Sequence, residues 1–127
     1  MILVTQELRL ALRANALAAD QPGHDPAPVV KLFNPVGAGI WLATELDEDG
    51  DTLFGLADLG FGCPELGSFS LSEIISVRLP FGLAIERDLC FAGRFPLSVY
   101  AEAARRASHI IEFDEQLKAA AAELARR

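Results

Sequence analysis

The sequence predicts a small α+β protein with an N-terminal helix and an antiparallel sheet of about four strands, into which a short helix is inserted. A helical extension is predicted at the C-terminus. Three observations lead to this prediction: helical spacing of apolar residues near the start, short apolar runs separated by turn residues from residue 29, and an alanine-rich stripe after residue 98. With 127 residues, of which 51% are hydrophobic, the chain can bury the core of one domain.

The first element is a helix predicted over residues 5–19. Thr5 is a suitable N-cap, and Glu7 lies in the first turn, where a negative charge is favourable. Apolar residues then recur at helical spacing at Leu8, Ala11, Leu12 and Ala16. Turn residues and three prolines between residues 20 and 28 end the helix.

Three strands of an antiparallel meander are predicted at residues 29–33, 40–46 and 52–59, because each of these segments is apolar and bounded by turn residues. A loop over residues 60–67 and a short strand at 68–71 follow, and Ser70 or Ser72 could cap a short helix. Residues 85–91 alternate like a strand, which would put Arg87 on one face with Ile85, Leu89 and Phe91.

A helix is predicted from about residue 99, with a break near Ser108 and His109. It carries a nearly heptad-spaced apolar stripe: Tyr100, Ala103, Ala107, Ile110, Leu117, Ala121 and Leu124. Such a stripe needs burial, either against the chain's own sheet or against a second copy in a homodimer. We therefore predict a single domain, 1–127, with an α+β body at about 1–97 and a helical extension at about 98–127.

The net charge of −7 is opposite to that of most nucleic-acid-binding proteins and suits a protein partner, or mimicry of the charge of a nucleic acid. No apolar stretch is long enough for a signal peptide or a membrane span, so a cytoplasmic location without membrane association is expected. Cys63 and Cys90 are far apart and are expected to be buried free thiols.

No motif points to catalysis, a cofactor or a metal, and none of the three is predicted. Asp47, Asp49 and Asp51 have the spacing of calcium ligands, but Thr52 stands where the EF-hand loop requires glycine. His24 and His109 have no second ligand at metal spacing. The chain also lacks a nucleophile elbow, a phosphate-binding loop and a dinucleotide fingerprint.

The most unusual local feature is the run of three charges at Glu86, Arg87 and Asp88 within a predicted strand. An inward-facing Arg87 needs a partner, and the candidates are Glu65, Glu73 and Asp58. The charged run is either structural, as an internal ion pair or as a charge that protects an edge strand, or the anchor of a ligand or partner. Trp41 is either a core residue or an exposed anchor. The candidate binding residues are Trp41, Glu45, Glu73, Arg78, Glu86, Arg87 and Asp88.

Several segments together resemble a family of small bacterial proteins known as domain of unknown function 2958. They are MILVT (1–5), VVKLF (29–33), Trp41 with Thr44 and Glu45, DGD (49–51) with Phe54 and Gly55, ELGSFSLSE (65–73), SVR (76–78), GLAIERDL (82–89) and Phe91. The resemblance covers about residues 1–97. It implies a protein carried by plasmids, integrative elements or phages, and it implies no particular activity.

Three functions follow as hypotheses. The first is a non-enzymatic accessory protein of a mobile element that binds a protein of a host-defence complex (anti-CRISPR or anti-restriction) or of a DNA-processing complex. The second is a nucleic-acid-binding module that uses the C-terminal arginines: Arg105, Arg106, Arg126 and Arg127, together with Lys118. The third is a small enzyme or ligand-binding domain centred on Arg87 and Glu73.

Overall fold

A five-stranded antiparallel sheet lies at the centre of the molecule, in the order β4-β3-β2-β1-β5. The computed structural model describes all residues, 1–127. The elements in chain order are α1 (Gln6–Leu17), β1 (Val30–Phe33), β2 (Ile40–Leu46), β3 (Thr52–Asp58), β4 (Glu65–Ser70), α2 (Leu71–Ser76), a 3₁₀ turn (Pro80–Gly82), β5 (Glu86–Arg87), α3 (Leu97–Ala107) and α4 (Asp114–Ala125). The predicted α+β class and the terminal helices are confirmed.

Local signals place the first half of the chain as the sequence predicts. Thr5 caps α1, because its hydroxyl accepts a hydrogen bond from the Leu8 amide at 3.3 Å. Strands β1, β2 and β3 form an antiparallel meander. A Cβ at residue 55 of β3 would lie 1.9 Å from the Leu42 carbonyl oxygen, so only glycine fits at this position, where β3 pairs with Ala43 of β2.

The second half departs from the prediction in two strands. β4 begins at Glu65, inside the predicted loop, and the sheet has five strands where about four were predicted. β5 contains only Glu86 and Arg87, and the predicted strand alternation up to Phe91 is wrong. The Asp88 carboxylate accepts the Cys90 amide at 2.9 Å, which closes a turn and leaves Leu89 71% exposed.

Helices cover both faces of the sheet and form two separate cores. On one face α1 and α2 pack with the N-terminal segment over Leu32 and Leu53. On the other face α3 and α4 pack over Leu42 of β2 and Leu56 of β3. The C-terminal helices therefore fold back on their own sheet, and they are separated at Ser108, which has a left-handed φ of 67°.

The prediction that both cysteines are buried is wrong. Cys63 lies in the β3–β4 loop and Cys90 in the turn after β5, and both are exposed free thiols. Neither residue is in a helix or strand, and connecting segments run over the protein surface. None of the helices has the length and apolar character needed to cross a membrane.

Candidate functional site: the N-terminal groove

Three segments that are distant in sequence, together with Arg9 of α1, form an open groove of about 290 Å³. The segments are residues 1–4, helix α2, and the segment just before β5. The groove, called here the N-terminal groove, is lined by Met1, Ile2, Leu3, Val4, Arg9, Leu71, Ile75, Ala84 and Ile85. All of these except Arg9 are apolar, and Met1, Ile2 and Ile75 are 72%, 72% and 50% exposed. The result is a solvent-facing apolar surface beside the α1-side core.

Arg87 holds one wall of this groove in place. Its Nη1 donates to the Ile2 carbonyl at 2.7 Å and to the Leu3 carbonyl at 2.8 Å, and its amide donates to Met1 Sδ at 3.3 Å. The guanidinium thus fixes the N-terminal segment against β5, with Leu3 and Val4 buried beneath.

The prediction that Arg87 pairs with a carboxylate is therefore wrong. Glu65 lies on β4, at the opposite edge of the sheet. Asp58 is already used, since its two oxygens accept the amides of Gly60 and Ile110 at 2.9 Å each. Main-chain carbonyls satisfy Arg87 instead, which a sequence-based search for an opposite charge does not consider.

The opposite wall is α2, and the serine-rich segment before it is a helix cap. The Ser70 hydroxyl accepts the Glu73 amide at 3.2 Å, and the Asp51 carboxylate accepts both the Ser70 hydroxyl and the Ser72 amide at 2.7 Å. Hydrogen bonds from Ser70 and then Ser72 lower the pKa of Asp51 below its ordinary value. The main-chain amide of Glu73 is therefore part of the helix cap, and no bond joins its side chain to Arg87.

The arginines around the groove bind main-chain carbonyls and form no ion pair. Arg9 donates to the Gly50 carbonyl at 3.0 Å, and Arg78 donates to the Ile75 carbonyl at 3.1 Å. Arg87 binds the carbonyls described above. Each of the three therefore keeps a positive charge that no carboxylate neutralises.

Two acidic residues close to the groove in sequence, Glu73 and Glu86, point away from it, whereas Asp51 lies beside Leu71, whose amide donates to the Asp51 carbonyl. Glu73 is two residues from both Leu71 and Ile75, which places it about 200° around the helix from either of them. Glu86 alternates with Ile85 and Arg87 along β5, so its side chain is on the other face of the sheet. The groove is consequently apolar with a positive rim, in a chain whose net charge is −7.

The other predicted site residues lie outside the groove. Trp41 is half-buried against the α1-side core, and Leu32 separates it from Arg87 in the sheet. Glu45 lies 3.2 Å from the ring of His24, which ties the loop after α1 to β2. Asp88 lies 3.5 Å from the ammonium group of Lys31. The same ammonium lies 2.6 Å from Glu112, so Asp88 belongs to an internal ion-pair cluster.

Sequence reasoning selected the charged residues at this site and missed its apolar ones. Met1, Ile2 and Ile75 line the groove, but apolar residues at a terminus and in a six-residue helix look like ordinary core residues. One usable signal exists: Ile75 lies one turn after Leu71, so α2 presents two apolar residues on a common side.

The arginines of the C-terminal helices are ion-paired. Glu102 on α3 is buried and binds Arg105 at 2.7 Å, Arg106 at 2.9 Å and Arg127 at 3.3 Å. The hydrogen bond from Arg105, helped by Arg106 against the effect of burial, lowers the pKa of Glu102 to about 2. Arg126 pairs with Glu123 in the same way, so much of this positive charge is neutralised within the protein.

The family model described as "Protein of unknown function (DUF2958)" matches residues 3–111. The chain belongs to this family. The matched region includes α2, β5 and all of the groove lining except Met1 and Ile2. It continues beyond residue 97 through α3, so that helix lies within the family region and α4 lies outside it. No solved structure matches the chain significantly.

Two curated proteins are similar to a part of this family member. The dihydroorotate dehydrogenase (quinone) of Janthinobacterium sp. (strain Marseille) is 48% identical over 50 residues, which cover 38% of this chain and 13% of that protein. The dihydroorotate dehydrogenase (quinone) of Herminiimonas arsenicoxydans is 47% identical over 53 residues, which cover 40% of this chain and 14% of that protein. The matches thus span about one seventh of those proteins or less.

Proposed function

We propose that this protein is a non-enzymatic accessory protein of mobile genetic elements that binds a partner protein through the N-terminal groove. The observation that carries the proposal is the exposed apolar groove with three arginines that no carboxylate neutralises. Exposed apolar surface with a polar rim is typical of protein–protein contact sites.

The rim arginines favour a protein ligand with both apolar and acidic side chains. An apolar side chain can displace water from Ile2 and Ile75, and a nearby carboxylate can reach Arg9, Arg78 or Arg87. Since these arginines bind only carbonyls within the protein, an incoming carboxylate need not break an existing ion pair.

The setting of the proposal comes from the family resemblance. We therefore propose a partner that belongs to a host-defence complex, of the CRISPR or restriction type, or to a DNA-processing complex. The absence of any catalytic motif in the sequence supports binding as the mode of action.

Site-specific photocrosslinking in host cells tests the proposal. A photoreactive residue is placed at Ile75, in the groove, and in a second protein at Gln116, an exposed position on α4. We expect a discrete crosslinked product from position 75 and none of the same identity from position 116. Equal yields of the same product from both positions, or no product from position 75, would contradict the proposal.

A matched pair of variants then measures the contribution of the groove to affinity for the captured protein. Ile75→Glu puts a carboxylate beside the rim and is expected to weaken binding about tenfold or more, the equivalent of about 1.4 kcal/mol. Leu10→Glu makes the same kind of change on the exposed surface of α1, outside the groove, and is expected to leave affinity unchanged. Binding is also expected to weaken as salt rises, because the rim charges are solvent-accessible.

A further inference from the structure

Strand β4 is the long open edge of the sheet, and its hydrogen-bonding pattern can be read from one contact. The Leu71 amide, directly after β4, donates at 2.9 Å to the carbonyl of Asp51, directly before β3. Residue 71 is therefore inward-facing, meaning that its main-chain groups point toward β3. Inward and outward positions alternate in an antiparallel ladder, so Phe69 and Gly67 bond to β3. Leu66 and Ser68 therefore direct their amides and carbonyls away from the sheet.

This edge lacks the features that usually prevent strand pairing. Residues 65–70 contain no proline and no lysine, their pairing with β3 has no bulge, and Glu65 is their single charge. Leu66 is 50% exposed, and Phe61 in the adjoining loop is 83% exposed. The other edge, β5, is only two residues long and offers little to pair with.

We propose that two copies of this chain associate by antiparallel pairing of their β4 edges, forming one continuous ten-stranded sheet. The pairing has two-fold symmetry about an axis through Gly67 that is perpendicular to the sheet. Leu66 of each copy then lies opposite Ser68 of the other, and both residues are outward-facing. Each of these two pairs exchanges both main-chain hydrogen bonds. A two-fold axis perpendicular to the sheet keeps each side chain on its own face. This condition is met only when the numbers of two opposite residues differ by an even amount, as they do here.

The side chains of β4 are compatible with this register. The two Leu66 residues become diagonal neighbours on the same face, where part of their exposed apolar surface is buried. Glu65 lies opposite Phe69 of the second copy, so the two carboxylates are at opposite ends of the paired strands. No like charges face each other, and a second copy is thus a complementary occupant of the edge.

The edge is also the better place for self-association than the C-terminal helices. Their apolar stripe was one expected route to a homodimer, but Leu117 and Ala120 are fully buried against the chain's own sheet and helix α3. The β4 pairing uses main-chain groups that nothing in the molecule satisfies. It is independent of the N-terminal groove, so the two proposals can fail separately.

Sedimentation equilibrium of the purified full chain across the micromolar range tests the pairing. We expect the mass to rise with concentration toward twice the 13.7 kDa of one chain. Hydrogen exchange at the amides of Leu66 and Ser68 is expected to slow in step with dimer formation. A mass that stays at 13.7 kDa over the whole range would overturn the proposal.

Substitutions at the edge identify the contact. Ser68→Pro removes the outward amide, Leu66→Lys adds a charge on the edge, and each is expected to give a monomer. Ser68→Ala keeps the main-chain amide and is expected to remain dimeric. Circular dichroism establishes that each variant is folded. A dimer that persists in folded Leu66→Lys with unchanged affinity would place the contact elsewhere and overturn the proposal, even if Ser68→Pro fails to fold.

Discussion

Replacing Arg87 by methionine tests whether this residue holds the N-terminal segment through main-chain carbonyls. Methionine keeps an unbranched stem of similar length and removes the guanidinium. The variant loses the bonds to the Ile2 carbonyl at 2.7 Å and to the Leu3 carbonyl at 2.8 Å. These are charge-assisted bonds, and such a bond typically contributes about 1.5–3 kcal/mol when it is shielded from water.

The two bonds are not equivalent, and this sets the expected magnitude. Ile2 is largely exposed, so water can replace the guanidinium at its carbonyl and little stability is lost there. Leu3 is buried, and its carbonyl is less easily solvated. The Leu3 bond therefore accounts for most of the effect, and we expect the free energy of unfolding to fall by about 2–3 kcal/mol. Arg87→Lys keeps one point-like donor and is expected to recover about half of that loss.

Urea denaturation followed by circular dichroism measures the change, and hydrogen exchange at the amide of residue 87, which donates to Met1 Sδ, reports whether the N-terminal segment is released. Arg78→Met is the matched control, because Arg78 is exposed and binds carbonyls only one and three residues away. It is expected to cost less than about 0.5 kcal/mol. If Arg87→Met and Arg78→Met are equally mild, the reasoning about Arg87 is refuted.

The remaining predictions concern the core beneath the C-terminal helices, the pairing of β3 with β2, and the C-terminal ion pairs. Leu117→Ala on α4 removes a fully buried side chain and is expected to lower the unfolding free energy by about 2–5 kcal/mol in urea titrations; a loss below about 1 kcal/mol would mean that α4 is not part of the core. Gly55→Ala is expected to prevent soluble expression, because its Cβ collides with the main chain of β2; a folded variant with native stability would contradict the register. Glu102→Gln is expected to be less stable than the wild type at neutral pH. Because the folded pKa of Glu102 lies below its ordinary value of 4.5, the wild-type advantage should shrink as the pH falls from 4.5 toward about 2; a gap that is constant with pH would show that the charge of Glu102 contributes nothing.

Local sequence signals were sufficient for most elements of the fold. The Thr5 cap, the apolar spacing of α1 and the glycine at the β2–β3 turn each act within a few residues, so they can be read without the rest of the chain. The short helix capped by Ser70 is a further example. β4 was harder, because glycine, serine and proline around it resemble a loop, and only pairing with β3 makes it a strand.

The candidate site was only partly predictable, for a different reason. The sequence marked Arg87 as unusual, but its bonding partners are carbonyls of residues 2 and 3, more than eighty positions away. Main-chain carbonyls occur at every residue and carry no sequence signature. The apolar lining was missed because whether Ile75 is buried or exposed depends on what packs over α2.

The sequence by itself determined most of the helices and strands and the negative charge of this family member. The tertiary structure alone decided that the C-terminal helices cover the second face of their own sheet, that the cysteines are exposed, and that the rim arginines lack carboxylate partners. The physical reason is range: caps, turns and periodicity are local, whereas burial and charge pairing depend on which distant segments meet.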